Sequence, residues 1–499
     1  MTDILLGFSE VFQIWNLMSL LLGVLLGIVI GFLPGMNDNI AFAVFIPITF
    51  GMDPQIAMMI MVGIYCSTSI GGSFPAILLK IPGTASSVVT ALDGYPMTQK
   101  NQGGLALGIA TISSVFGGII SAILLITMAP FLAEQALKFG PVEYFSLTIL
   151  GLSTVVGMAR DNMLKNIIST ILGLIIATFG MSPQSGFPRF TFGSSSLMEG
   201  IPLVPLLIGL FGIVYIFEMG KSKKEKVTQT TKKAAKSITK VLPSFKMLKQ
   251  LFPVMSVSAL IGSFIGIMPG AGMVMGIYIA YDRAVSMYKD KKFGTGVPEG
   301  VAAPESANNA VVASSMVPLV SLGIPGNSVS ALFLGALMIH GLTPGPSLFE
   351  DNPEVAYLLV VGFFVAYIFA LPIGLLAAKF ASTAILKIPQ SILGGIVILL
   401  CTTGAFSVRN NLFDVGLAII IGLLAYCLMI LEIPFSPLIL AVILGPIIEK
   451  SFQQSLVLSE QSLLIFIQQP ISLVLLIIAL LFLLKPLYDY FKIKVTQVK

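Results

Sequence analysis

Two clusters of polar residues interrupt an otherwise apolar chain: Asn37, Asp38 and Asn39 in "GFLPGMNDN", and Glu305, Ser306, Asn308 and Asn309 in "PESANNA". Carboxylate and side-chain amide oxygens gathered in this way are ligands for Na⁺, and a carboxyl group that changes protonation would serve H⁺ instead. A second pair of clusters is rich in hydroxyls. Ser86, Ser87 and Thr90 follow "IPG" at 81–83, and Asn327, Ser328 and Ser330 follow "IPG" at 324–326. Hydroxyl and amide donors beside free backbone N–H groups suit an anion. Catalysis has less support. Asp38, Glu305 and Lys80 are acid–base candidates, but there is no histidine cluster, no metal-ligand spacing and no nucleophile with an identifiable base. Cys66, Cys401 and Cys427 sit in apolar segments, where packing explains them.

Each cluster lies beside or between Pro-Gly pairs: Pro34-Gly35, Pro82-Gly83, Pro269-Gly270 and Pro325-Gly326. Proline lacks an amide hydrogen and glycine tolerates angles closed to other residues, so each pair breaks a helix. In a membrane the freed backbone groups are tolerable only when buried in protein or turned toward a watery cavity or ligand. Half-helix N-termini then favour anions, while unwound carbonyls favour cations. Pro34 and Pro269 are separated by 269 − 34 = 235 residues, and Pro82 and Pro325 by 325 − 82 = 243. Two motifs in the same order at nearly the same offset predict an internal repeat.

The membrane setting follows from composition. Of 499 residues, 56% are hydrophobic and 10% charged, with a mean hydropathy of +0.98, outside the range of soluble globular proteins. Runs such as "LMSLLLGVLLGIVIGFL" and "ISLVLLIIALLFLLKPL" approach the roughly 20 residues a spanning helix needs. About ten to twelve passes, some broken, are expected, and the alternation of a transmembrane barrel is absent. Residues 221–249 hold ten lysines against the single acid Glu225, which marks a cytoplasmic loop rather than a nucleic-acid site. No Lys or Arg precedes Lys80, which places the N-terminus outside. The basic "YDRAVSMYKDKKFG" is also cytoplasmic by this rule, so the short stretch before it must re-enter at "MPGAG". The expected fold is therefore an all-α polytopic membrane protein with inverted-topology repeats and broken, re-entrant helices. Its first half is 1–218, its lysine-rich linker 219–250 and its second half 251–499.

"GFLPG", "IPGTASSVVTALDGYPM" and above all "EGVAAPESANNAVVASSMVPLVSLGIPGNSVSALFLGALMIHGLTPGP" resemble the large membrane subunit of tripartite tricarboxylate transporters. The resemblance implies an inner-membrane secondary transporter of elevator-like arrangement, working with a small four-helix membrane subunit and a periplasmic solute-binding protein. It implies that Pro34, Gly35, Pro82, Gly83, Pro269, Gly270, Pro325 and Gly326 shape the site and that "PESANNA" lines it. The chain departs from the family pattern at "MNDN", which adds the Asp38 carboxylate, at Lys80 and at "YCSTSIGG".

The expected function is import of a small tri- or dicarboxylate by Na⁺ or H⁺ symport, with no other cofactor. A stand-alone organic-anion permease and an anion channel are the alternatives, and the sequence leaves a homodimer open. Substrate contacts are expected at Pro34, Gly35, Lys80, Gly83, Ser86, Ser87, Thr90, Pro269, Gly270, Gly326, Asn327, Ser328 and Ser330. Coupling-ion contacts are expected at Asn37, Asp38, Asn39, Glu305, Asn308 and Asn309. Lys80 is read either as a side chain snorkelling at a helix end or as a fixed positive charge near the site. Asp93 is read as a turn or cap, Glu299 as a solvated interface group, and His340 as a loop residue near the outer surface.

Overall fold

The computed structural model describes residues 2–33, 36–81, 83–157, 163–182, 185–221, 241–269, 272–384, 390–407 and 409–497. Pro34, Gly35, Pro82, Gly270 and residues 222–240 of the lysine loop lie outside the described residues. The first part of the chain forms helices α1 (Thr2–Val11), α2 (Ile14–Gly31), α3 (Asp38–Thr49) and α4 (Pro54–Leu79). A short 3₁₀ turn (Ala85–Val88) then leads into α5 (Thr90–Gln99), α6 (Gly103–Ala136), α7 (Pro141–Gly157) and α8 (Met163–Ala177). A two-stranded hairpin, β1 (Gly180–Met181) and β2 (Pro188–Arg189), precedes a segment that runs through α9 (Leu203–Leu207), a π turn and α10 (Val214–Lys221).

Beyond the lysine loop come α11 (Phe245–Ile267), α12 (Met273–Met287), α13 (Pro298–Ser314), α14 (Met316–Leu322) and α15 (Ser328–Ile339). The chain ends with α16 (Pro346–Asp351), α17 (Pro353–Ala384), α18 (Gln390–Ser407), α19 (Leu412–Ile430), α20 (Phe435–Leu458), α21 (Ile465–Gln468) and α22 (Pro470–Gln497). Seven helices among the described residues are long and apolar enough to cross a bilayer, and several shorter apolar helices accompany them. The polytopic all-helical class is therefore as expected.

Lipid tails are as apolar as leucine, so helices in a membrane associate through close packing of small residues. The crossing of α2 on α4 shows this. A Cβ on Gly27 would fall on Ser67 Oγ and the Ile64 carbonyl, and one on Gly31 would fall on the Thr68 carbonyl oxygen. The crossing of α11 on α13 has the same form. There a Cβ on Gly262 would fall on the Ala307 carbonyl, and one on Gly266 on Ser314 Oγ and the Val311 carbonyl.

The helix ends before the two "IPG" segments also match. Helix α4 stops at Lys80, a left-handed residue with φ 62°, with Lys80 N–H donating to the Ala76 carbonyl and Ile81 N–H to Pro75. Helix α14 stops at Gly323, with φ 72°, through Gly323 N–H to Leu319 and Ile324 N–H to Pro318. Each proline-carrying last turn thus closes with the same two bonds. The segments that follow fold back tightly: a Cβ on Gly83 would be 2.6 Å from the Gly31 carbonyl oxygen, and one on Gly326 would be 2.9 Å from that of Gly266.

Three expectations change. The segment before "MPGAG" is not a half-helix, because α11 runs 23 residues from a Ser244 N-cap whose side chain accepts from Met247 N–H. Glu299 is buried and pairs with Lys291 at 2.5 Å rather than resting in solvent. Asp93 is no cap. It lies fully buried in the first turn of α5 and accepts from Tyr281 Oη at 2.8 Å and from the backbone N–H groups of Gly294, Gly296 and Val297 at 2.8–2.9 Å. Four donors on one carboxylate tie α5 to the loop between α12 and α13. His340 ends α15, with its ring nitrogens 2.8 Å from the Ala336 carbonyl and 2.9 Å from that of Thr49.

Candidate functional site

The segments that follow all four Pro-Gly breaks meet around one cavity of about 310 Å³. Its wall includes Asn37, Asp38 and Asn39 at the start of α3, Thr84, Ala85 and Ser86 beside the 3₁₀ turn, Gly272 to Met275 at the start of α12, and Asn327, Ser328 and Val329 at the start of α15. Val155 of α7 and Ser436 and Leu440 of α20 close it. Among the described residues, no lysine or arginine lines it.

Each start is shaped by its own sequence. Asn37 Oδ1 accepts from Ile40 N–H at 3.0 Å and caps α3. Asn327 Oδ1 accepts from Ser330 N–H at 2.8 Å, while Ser330 Oγ accepts from Asn327 N–H at 2.8 Å, a reciprocal cap. Thr84 N–H donates to Ser87 Oγ at 3.3 Å, and the hydroxyls of Thr84 and Ser86 lie 2.8 Å apart. The starts of α3, α12 and α15 lie on the cavity wall, where their positive dipole ends favour negative charge.

The predicted residues divide. Asn37, Asp38, Asn39, Ser86, Asn327 and Ser328 line the cavity. Ser87 and Ser330 stand behind the wall, where they hold the turns. Gly83 and Gly326 are spacers packed against backbone, and Pro269 does not line the cavity. Lys80 is exposed and does not line the cavity either, because it occupies the left-handed end of α4. Asn37 is a poor ion ligand, since its oxygen already serves the α3 cap.

The "PESANNA" segment lies outside the cavity, contrary to the expectation that it forms the lining. It sits in the middle of α13, which packs against α6, α11 and α12. Glu305 is fully buried there, with Oε1 accepting from Thr90 Oγ1 at 2.5 Å and Oε2 from Ser114 Oγ at 2.7 Å. Thr90 is thereby committed to Glu305 rather than to the cavity. Asn308 and Asn309 are equally buried, and neither their amide nitrogens nor their amide oxygens have a partner. Asp38 and Asn39 each carry one oxygen, Oδ1, without a partner, while Asp38 Oδ2 is 3.5 Å from Ser69 Oγ.

Tyr65 escaped the sequence analysis. Its hydroxyl lies 3.0 Å from Ser315 Oγ and within hydrogen-bonding distance of the Asn327 side chain, joining α4 to the second "IPG" segment. The signal was present in "YCSTSIGG", a hydroxyl-rich stretch on a membrane helix. Ser436 was signalled by the Pro-flanked "IPFSP".

A polytopic helical bundle whose broken helices converge on a small buried cavity defines a membrane transport protein. The chain belongs to the tripartite tricarboxylate transporter TctA family, whose model matches residues 17–440. It is similar to an uncharacterized 52.8 kDa protein of the TAR-I ttuC' 3' region of Agrobacterium vitis, with 33% identity over 96% of this chain and 94% of that one. An uncharacterized protein of the TAR-II ttuC' 3' region of the same organism is 34% identical over 42% of this chain and 87% of its own length. No solved structure is significantly similar. The chain is thus the membrane component of a tripartite transport system, which implies partner subunits and a binding protein.

Proposed function

We propose that the chain imports a small carboxylate across the inner membrane by cation symport, receiving it from a solute-binding protein. The observation that carries this reading is the meeting of all four post-break segments around one cavity with no basic side chain among its described lining residues. A carboxylate held there would be bound by helix-start N–H groups and by the hydroxyls of Ser86 and Ser328.

Two inverted halves exchanging access in elevator fashion fit the matched geometry. Gly31, Gly83 and the α4 end correspond in their contacts to Gly266, Gly326 and the α14 end. The lysine distribution supports a cytoplasmic 221–249 loop and an external N-terminus.

The coupling cation is assigned to Glu305, Asn308 and Asn309. These side chains share one face of α13, and the two unpaired amide oxygens stand with a carboxylate that carries no basic partner. The ion proposed is Na⁺. Membrane vesicles holding the complete system test this: Asn309→Ala should raise the Na⁺ concentration for half-maximal uptake at least about tenfold and leave the substrate requirement nearly unchanged. Uptake that ignores Na⁺ and collapses with the proton gradient would reject the ion assignment.

A further inference from the structure

Asp38 and Asn39 bring to the cavity two features that a pure anion site does not need. Asp38 is 6% exposed and lies on the cavity wall, yet its Oδ1 has no partner; the Oδ1 of Asn39, the next residue on the same wall, has none either. Both unpaired atoms are acceptors. An acceptor left unpaired in a buried site costs free energy until a donor or a cation reaches it.

The electrostatics of the cavity decide between these two. Asp38 is the first residue of α3, and the starts of α12 and α15 open on the same space. Each helix start carries about half a positive charge. The carboxylate of Asp38 is therefore stabilised by its own helix, whereas a metal cation beside it would face three positive dipole ends. A neutral O–H donor meets no such penalty and satisfies Oδ1 of either residue. A second carboxyl group on the wall, that of Asp38, also weighs against a heavily charged anion, because no Lys or Arg among the described residues of the wall offsets it.

We infer that the substrate is a small hydroxycarboxylate of at most two negative charges, its carboxylate held between the Ser86 and Ser328 sides and its hydroxyl donated to Asp38 Oδ1 and Asn39 Oδ1. This rests on the proposed placement of the carboxylate in the cavity and adds the chemistry of the second group. The cavity volume of about 310 Å³ suits such a ligand, at the small end of small-molecule pockets.

The test compares acids that differ by one hydroxyl. Binding of succinate and malate to the purified full-length chain is measured by calorimetry and by melting temperature, with tricarballylate and citrate as the more highly charged pair. Malate should bind about tenfold more tightly than succinate, as expected when a hydroxyl donor satisfies a buried, unpaired acceptor. Both triply charged acids should bind more weakly than malate. In Asp38→Ala the malate preference over succinate should fall most of the way toward unity, with Asn39 Oδ1 retaining a smaller part. Should that variant fail to fold, Asn39→Ala, at a half-buried position, should reduce the preference by a smaller factor.

Equal binding of malate and succinate, a preference that survives both substitutions, or tightest binding by the triply charged acids would overturn the inference. So would stabilisation by Na⁺ alone that disappears in Asp38→Ala, since the occupant would then be a cation. If acids bind without hydroxyl preference, only this inference falls. If no acid binds and Ser86→Ala and Ser328→Ala change nothing, the carboxylate site falls and this inference with it.

Discussion

Replacing Gly83 by alanine puts a methyl group where backbone already stands. The added Cβ would lie 2.6 Å from the Gly31 carbonyl oxygen, 2.8 Å from Gly72 Cα and 2.9 Å from the Gly72 carbonyl oxygen, against an ordinary contact of 3.4–4 Å. No side-chain rotation can relieve three backbone contacts, so α2, α4 or the "IPG" segment must move. Overpacking of this kind costs about 1–3 kcal/mol, and Gly83→Ala belongs at the upper end. Gly326→Ala is less crowded, at 2.9, 3.0 and 3.1 Å from the nearest atoms, and belongs at the lower end. Gly416, exposed on α19 with nothing within 4 Å of an added Cβ, is the control, where alanine should stabilise by up to about 1 kcal/mol. Melting of the detergent-solubilised chain should rank Gly416→Ala at or above wild type, then Gly326→Ala, then Gly83→Ala. The two lower variants should also lose transport, since the displaced segments form the cavity wall. Wild-type melting and transport in Gly83→Ala would refute the packing argument.

Ser86→Ala and Ser328→Ala should each weaken substrate binding by on the order of tenfold, as one hydrogen bond to a carboxylate is lost; the check is the substrate concentration for half-maximal uptake. Asp93→Ala leaves the Tyr281 hydroxyl and three backbone N–H groups without their acceptor, so it should destabilise by about 3 kcal/mol or more, seen as a large drop in melting temperature. Tyr65→Phe keeps the ring but removes the link to Ser315 and Asn327. It should cost about 1 kcal/mol of stability and lower the uptake rate, measured side by side with wild type. Single cysteines at positions 3 and 230 should label from opposite sides of the membrane, and labelling from one side would overturn the proposed topology.

Much of the architecture was legible because the bilayer simplifies the chemistry. Apolar runs give helices, and a Pro-Gly pair inside one must be a break with unpaired backbone to place. The grouping of residues 37–39, 84–86, 272–275 and 327–329 around one cavity follows that logic, although distant segments had to be assembled to see it. The position of "PESANNA" was not legible. Its polarity says that it is functional or costly, but not which face of α13 it occupies, and only the packing against α5 and α6 shows Glu305 bonded to Thr90 and Ser114. Lys80 had two readings for a local reason: a positive charge next to "IPG" suggests an anion contact, yet the same position is a helix end, and the left-handed end of α4 leaves the side chain exposed and off the cavity wall. Asp93 looked like a cap because its partners, Tyr281 and residues 294–297, lie about 190–200 residues away in sequence.

The central claim is that the cavity bounded by the four breaks holds the transported carboxylate and that a cation gradient drives its movement. Uptake of labelled malate into proteoliposomes containing the chain, its small membrane subunit and its binding protein tests this directly, with an imposed Na⁺ gradient present or collapsed by an ionophore. Saturable accumulation above the outside concentration is expected, needing the gradient and falling severely in the Ser86→Ala/Ser328→Ala double variant. Accumulation unaffected by the double variant, or flux that never exceeds equilibration and does not saturate, would contradict it.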